Sequence, residues 1–149
     1  GRRVSIWINP KSDWRISDAI GKLPELAYKA HQVSLAIQHE IENMARPGTP
    51  CADLYNLAFQ MAEREGLADY FMGTKQQAKF VGHGIGLQIN ELPVLTPRSK
   101  ELLEENMTFA LEPKFVIPGT GAVGVENSYL VTNNAVEKLT LFEENIIQL

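Results

Sequence analysis

The chain has 149 residues, 44% of them apolar, which is enough to bury the core of one ordinary domain and gives no reason to expect two. Its formal charge of -4, with no block of Lys or Arg, excludes the electrostatic footprint of a nucleic-acid binder. No apolar run is long enough to span a bilayer, no leader pattern opens the chain, and the single cysteine, Cys51, permits no internal disulfide; a soluble, unprocessed, cytoplasmic protein is expected, with no membrane partner.

In chain order, residues 1–21 read as short strands or loop, with Val4, Ile6 and Ile8 alternating with Ser5 and Trp7 before the Asn9-Pro10 turn. From Pro24 to Met44 the apolar residues Leu26, Ala30, Val33, Ile37, Ile41 and Met44 recur at helical spacing, and Pro47-Gly48 stops the run. His31 and His39 fall on this helix among charged neighbours and read as solvated or capping side chains rather than ligands. Thr49 is the expected N-cap of a second helix with Pro50 at its first position; Leu54, Leu57, Ala58 and Met61 form its apolar stripe, and Gly66 ends it. Cys51 at its start reads as a small buried apolar residue, not a nucleophile. The second half carries strands at 80–90, 107–117, 122–132 and 137–140, punctuated by Pro93, Pro97, Pro118-Gly119 and Asn133-Asn134. Helices followed by strands predict an α+β layer, an antiparallel sheet with both helices on one face.

Three polar residues on those strands could carry chemistry. Strand alternation puts Glu112 on a face with Thr108 and Ala110, and Glu126 on a face with Ala122, Gly124 and Ser128. Two neighbouring strands of that kind build a concave pocket with acidic walls, and a cation between the carboxylates is the natural resolution of their repulsion. His83 lies in Gly82-His83-Gly84-Ile85-Gly86, where glycine inside a strand marks a bulge or a close approach by another backbone or a peptide ligand. The pentapeptide alone is equally a tight turn, and it lacks the Lys-Ser or Lys-Thr and following helix of a phosphate loop. One neutral imidazole and two carboxylates suit Zn, Mn, Co or Fe, and a water on such an ion is a nucleophile near neutral pH.

The order Phe80-Val81-Gly82-His83-Gly84-Ile85-Gly86-Leu87, Leu111-Glu112-Pro113, Gly124-Val125-Glu126-Asn127 resembles the C-terminal half of the catalytic domain of the pita-bread metallopeptidases, the family of methionine aminopeptidase, Xaa-Pro dipeptidase, Xaa-Pro aminopeptidase and creatinase. The resemblance runs from about Ile20 to Leu141 and includes Arg46-Pro47-Gly48, Asn106-Met107 and Val131-Thr132-Asn133; residues 1–19 match poorly. Pro118-Gly119-Thr120-Gly121 and Glu126-Asn127 place it nearer the Xaa-Pro side of the family. It implies that His83, Glu112 and Glu126 hold metal, with Glu126 bridging two ions and Glu112 also doing acid-base work. It further implies that Asn90, in Asn90-Glu91-Leu92-Pro93, stands where many members have a substrate-binding histidine. Two upstream Asp ligands are expected in the family. Asp13 falls at the second, with Trp14-Arg15-Ile16 in place of x-Thr-Arg, and the first falls near Arg2.

Two functions follow from the resemblance. One is a dinuclear exopeptidase of Xaa-Pro dipeptidase or aminopeptidase type, using divalent Mn, Co or Zn and a peptide substrate, and incomplete in this chain. The other is a metal-free, inactive pita-bread module that binds a protein or peptide. In either case half of a pseudo-symmetric sheet fold exposes a sheet edge and apolar surface, so a homodimer, or a partner supplying the missing half, is expected.

Overall fold

The computed structural model describes residues 7–8, 15–16, 18–19, 23–141 and 143–148. Its elements are β1 (Trp7–Ile8), β2 (Arg15–Ile16), β3 (Asp18–Ala19), α1 (Glu25–Met44), α2 (Cys51–Arg64), a 3-10 turn at Ala68–Tyr70, β4 (Gly82–Gly84), β5 (Glu91–Leu95), β6 (Thr108–Leu111), β7 (Lys114–Ile117), β8 (Gly121–Gly124), β9 (Asn127–Val131), β10 (Val136–Lys138) and β11 (Ile147–Gln148). Strands β10, β9, β6, β4 and β5 form an antiparallel sheet in that order, and β7 and β8 pair as a separate ribbon. In addition β1 pairs antiparallel with β2, and β3 parallel with β11. The expected α+β architecture is present, with α1 packed on β7 and β8 and α2 on β5.

Helix α1 buries Ala27, Ala30, Val33, Ser34, Ile37, Gln38 and Ile41, a stripe at three- and four-residue intervals. It stops because Pro47 cannot continue the backbone ladder and Gly48 turns at φ +88°. Burial of Ile37 and Ile41, both fully enclosed, is worth roughly 1.5–3 kcal/mol each. Helix α2 begins at Cys51 with Pro50 as its cap residue, so the Thr49 cap expected from sequence is displaced by one. Thr49 Oγ1 instead accepts from the Arg46 amide at 3.1 Å and donates to the Met44 carbonyl at 3.4 Å, tying down the end of α1. Cys51 is fully buried, and that burial, helped by Glu101, pushes its thiol up to about 11, which leaves it inert as expected. No helix among the described residues is long and apolar enough to cross a membrane.

His31 departs from its expected solvated role. It is 2% exposed, and its Nε2–H donates to the Glu144 carbonyl at 2.7 Å, pinning the C-terminal segment to α1. Burial lowers its pKa below 6.5, against smaller opposing effects of the Glu144 carbonyl and carboxylate. Below pH 6.5 the unfolded chain therefore takes up a proton that the folded chain resists, and stability falls as pH drops through the folded value. The urea midpoint of the wild-type chain is expected to decline across that acid limb, and His31→Gln to flatten it; parallel declines in both proteins would refute the assignment. His39 is exposed, within 3.2 Å of the Asn43 side-chain amide.

The strand expected at 80–90 is much shorter. Only Gly82–Gly84 pairs, residues 85–90 form a loop, and a further strand, β5, runs through Pro93. The stretches expected at 107–117 and 122–132 are each split in two, with breaks at Glu112-Pro113 and at Val125-Glu126. The register is nonetheless continuous. The β6–β9 ladder ends with Leu111 opposite Asn127, and the same register carried through the break arrives at Lys114 opposite Gly124, the first pair of β7–β8. Burial alternates without a slip through both breaks, so no residue is inserted or lost there.

Candidate functional site

The hairpin is interrupted where Pro113, which has no N–H, stands opposite Val125, and helix α1 fills the gap. Ser34 and Gln38, one turn apart on its buried stripe, supply the hydrogen bonds that the ladder lacks. Gln38 Nε2 donates to the carbonyls of Leu111 at 2.8 Å and Val125 at 2.7 Å, and Gln38 Oε1 accepts from the Tyr129 hydroxyl at 2.9 Å. Ser34 Oγ donates to the Pro113 carbonyl at 2.7 Å and accepts from the Val125 amide at 2.8 Å. The backbone flanking Glu112 and Glu126 is thus gripped by helix side chains where the strand pairing stops. Both carboxylates project to the half-exposed face, away from α1.

Continuing the register by one step sets Glu112 across from Glu126, as the sequence reading of neighbouring acidic strands requires. On the same face, His83 of β4 pairs with Ala110, and Ala110 pairs with Ser128 of β9. His83 therefore lies diagonally next to Glu112, with Ala and Ser giving it room. The glycines around it have a cause in the sheet itself: a Cβ on Gly82 would strike the Ala110 carbonyl oxygen, and one on Gly84 the Leu92 carbonyl oxygen. The clearance expected for a peptide ligand is used by the neighbouring strands, and the expected bulge is present as a register shift between His83 and Gly84.

The imidazole is oriented. His83 Nδ1 lies 3.0 Å from the Gly84 carbonyl, which only accepts, so Nδ1 carries a proton, and in the neutral ring Nε2 presents its lone pair. That lone pair faces Glu112 Oε1 at 3.7 Å, with the two side chains 13% and 14% exposed. Two electron-rich atoms turned toward each other across this gap fit a divalent cation between them, since N and O ligands of one ion stand roughly 2.0–2.2 Å from it. The other oxygen, Glu112 Oε2, is already engaged by the Lys114 ammonium at 2.6 Å.

Of the residues expected at the site, the structure joins His83 to Glu112. Among the described residues no three His, Cys, Asp or Glu side chains converge to hold an ion, so Glu126 is adjacent in register without completing a trio. Asn90 lies in the exposed loop preceding β5, whose first residue, Glu91, pairs with Gly84. Asp13, and the Arg2 position, lie outside the described residues. Asn127, next to Glu126, points into the core: it is 3% exposed, its amide donates to Glu144 Oε1 at 2.6 Å, and its Oδ1 accepts from Thr140 at 2.7 Å. Sequence reasoning missed Ser34, Gln38 and Lys114. A Ser and a Gln on the apolar stripe of α1 were a readable signal, and so was a Lys two residues after Glu112 on the same strand face.

Residues 13–133 match the model of Metallopeptidase family M24. The Xaa-Pro dipeptidase of Pyrococcus furiosus is 29% identical over 136 residues, which are 91% of this chain and 37% of that protein. Among solved structures, a dipeptidase from Pyrococcus horikoshii OT3 superposes with a TM-score of 0.80 at 29% identity, covering 89% of this chain and 35% of the other. The Xaa-Pro dipeptidase from Bacillus anthracis gives 0.78 at 30% identity, covering 88% and 35%. The chain thus spans little more than a third of the length of the relatives it matches. With the family model covering most of the chain, and with the two helices, the antiparallel sheet and the His-then-Glu order all in place, the chain belongs to metallopeptidase family M24.

Proposed function

We propose that residues 1–149 form the C-terminal half of a pita-bread catalytic domain that hydrolyses N-terminal peptide bonds of Xaa-Pro dipeptidase or aminopeptidase type. The observation that carries this reading is the His83–Glu112 pair, an oriented imidazole lone pair and a carboxylate oxygen 3.7 Å apart on one face of the sheet. His83 Nε2 and Glu112 Oε1 are the proposed ligands, to which the family resemblance adds Glu126, set across from Glu112 by the continued register, and Asp13. A divalent ion such as Mn, Co or Zn there supplies Lewis-acid polarisation of a peptide carbonyl and an acidified water. The chain's own residues do the rest. The Gly84 carbonyl keeps His83 in the tautomer that leaves Nε2 unprotonated, Glu112 accepts and returns the proton, and Asn90 donates a hydrogen bond to the substrate from the loop before β5. A calorimetric titration of the chain with Mn, Co or Zn, repeated on Glu112→Gln, tests the reading; absence of binding in the wild-type chain would leave the module without hydrolytic chemistry.

A second copy of this chain is the proposed partner. Strand β5 is an edge of the five-stranded sheet, and beside it Leu87, Ile89 and Leu92 are 105%, 79% and 69% exposed. Exposed apolar side chains beside a strand with no further strand neighbour among the described residues favour association, and that strand borders the one that carries His83. Sedimentation at micromolar concentration is expected to give a dimer, and a strictly monomeric species overturns the assignment.

A further inference from the structure

We propose that the Lys114 ammonium is a tethered cation that competes with a divalent metal ion for Glu112, so that loading the His83–Glu112 pair requires Lys114 to swing off Oε2. The inference rests on the metal-site reading given above. Glu112 and Lys114 are two residues apart on the same strand face, separated by the buried Pro113, so the ammonium is delivered to the carboxylate by local geometry alone. Its Nζ lies 2.6 Å from Oε2, a charge-assisted bond, while Oε1 is left facing His83 Nε2 at 3.7 Å. The carboxylate thus already has a positive partner on one oxygen when a second positive charge arrives at the other. An ion and an ammonium sharing one largely buried carboxylate repel each other, and each weakens the hold of the other.

The two ends of the pair differ in their freedom to move. The Glu112 side chain is 14% exposed and Lys114 33%. Glu112 is also fixed at its backbone: its amide donates to the Val81 carbonyl at 2.8 Å, and Gln38 and Ser34 hold the carbonyls on either side of it. Lys114 has solvent to turn into and a flexible stem to do it with. Displacement therefore moves the lysine and leaves the carboxylate where His83 can share its ion. The lysine is a resident counter-ion in the ion-free chain, neutralising Glu112, and it sets how much free metal is needed for loading.

The test is a calorimetric titration with Mn, at fixed pH and low ionic strength, of the wild-type chain and of Lys114→Met, Lys114→Gln and Lys114→Arg, each repeated with His83→Ala. The Met and Gln variants are expected to bind at least about fivefold more tightly than wild type, the effect of a single charge contact at 4 Å even in bulk water. Lys114→Arg, which keeps the charge, is expected to stay within about twofold of wild type on the same argument. The gain should disappear in the His83→Ala background and shrink as salt is raised. Absorption of the Co-loaded chain gives an independent reading of ligation, and matching unfolding curves confirm that the variants are folded. If wild type and both neutral variants bind with equal affinity in a His83-dependent way, the competition is overturned while the metal site stands. If no protein in the series shows His83-dependent binding, the metal site falls and the competition with it.

Discussion

On the peptidase function proposed above, Glu112→Gln is expected to weaken divalent-ion binding by at least about 100-fold and to abolish any hydrolysis of Xaa-Pro dipeptides. The substitution is nearly isosteric, so its effect is one of charge. It replaces an anionic oxygen facing His83 Nε2 at 3.7 Å with a neutral amide, which either turns its NH₂ toward the site or offers a weak carbonyl ligand. Loss of an outer hydrogen-bonding partner alone typically costs 10–100-fold in metal affinity, so roughly 100-fold is a floor for losing a ligand. Loss of a group that moves a proton in the transition state removes roughly 10²–10⁴ in rate. Stability should move little, because the Lys114 ammonium, 33% exposed, can turn to water and the substituted amide oxygen can still accept from it. The control that separates site from fold is the unfolding midpoint. A Glu112→Gln chain that binds Mn as tightly as wild type would remove Glu112 from the ligand set, whatever its activity.

Gln38→Leu is expected to be the most damaging single change outside the apolar core, at about 3–5 kcal/mol. Leucine fills the volume and satisfies none of the three groups that Gln38 now serves, the Leu111 and Val125 carbonyls and the Tyr129 hydroxyl, all buried. An unsatisfied buried polar group costs roughly 1–3 kcal/mol, and the Val125 carbonyl, set opposite Pro113 by the continued register, has no strand N–H to take the place of Gln38. Tyr129→Phe, which deletes one hydroxyl, should cost about 1 kcal/mol, and combined with Gln38→Leu it should cost less than the sum, since the bond the two side chains share is counted in each single variant. Urea midpoints of the two single variants and the double variant check this. A Gln38→Leu loss below about 1 kcal/mol would mean that water replaces the side chain and that the helix does not hold the break.

The sequence was informative wherever periodicity decided the matter. The stripe through Ile37 and Ile41 predicted α1 to within one residue at its start, and alternation around Glu112 and Glu126 put both on the correct face. It was uninformative where a tertiary partner replaces a local rule. Pro113, which has no N–H to give a ladder, marks where the pairing breaks, but nothing near it in sequence names the replacement donor, which sits on a helix 73 residues earlier. Gly82-His83-Gly84 read as a bulge or a close approach by another backbone or a ligand, and it is carbonyls of the adjoining strands that approach, which only the register reveals. His31 looked solvated because its neighbours in sequence are polar; its burial is caused by the Glu144 segment, more than a hundred residues away. The pairing of Lys114 with Glu112 was within reach, since both stand on one strand face at the minimum same-side spacing.

Ser34 and Gln38 grip carbonyls, one amide and one phenol, and no bond of theirs reaches the carboxylate of Glu112 or Glu126. Their hold is therefore indifferent to which side chains occupy positions 112 and 126. A descendant of this chain could exchange both glutamates and inherit the hairpin intact, whereas a descendant that lost Gln38 would forfeit the hairpin whatever chemistry it carried. Ancestry of the shape and ancestry of the reaction are thus written at different positions, and the two can part company by a few substitutions on one face of a sheet.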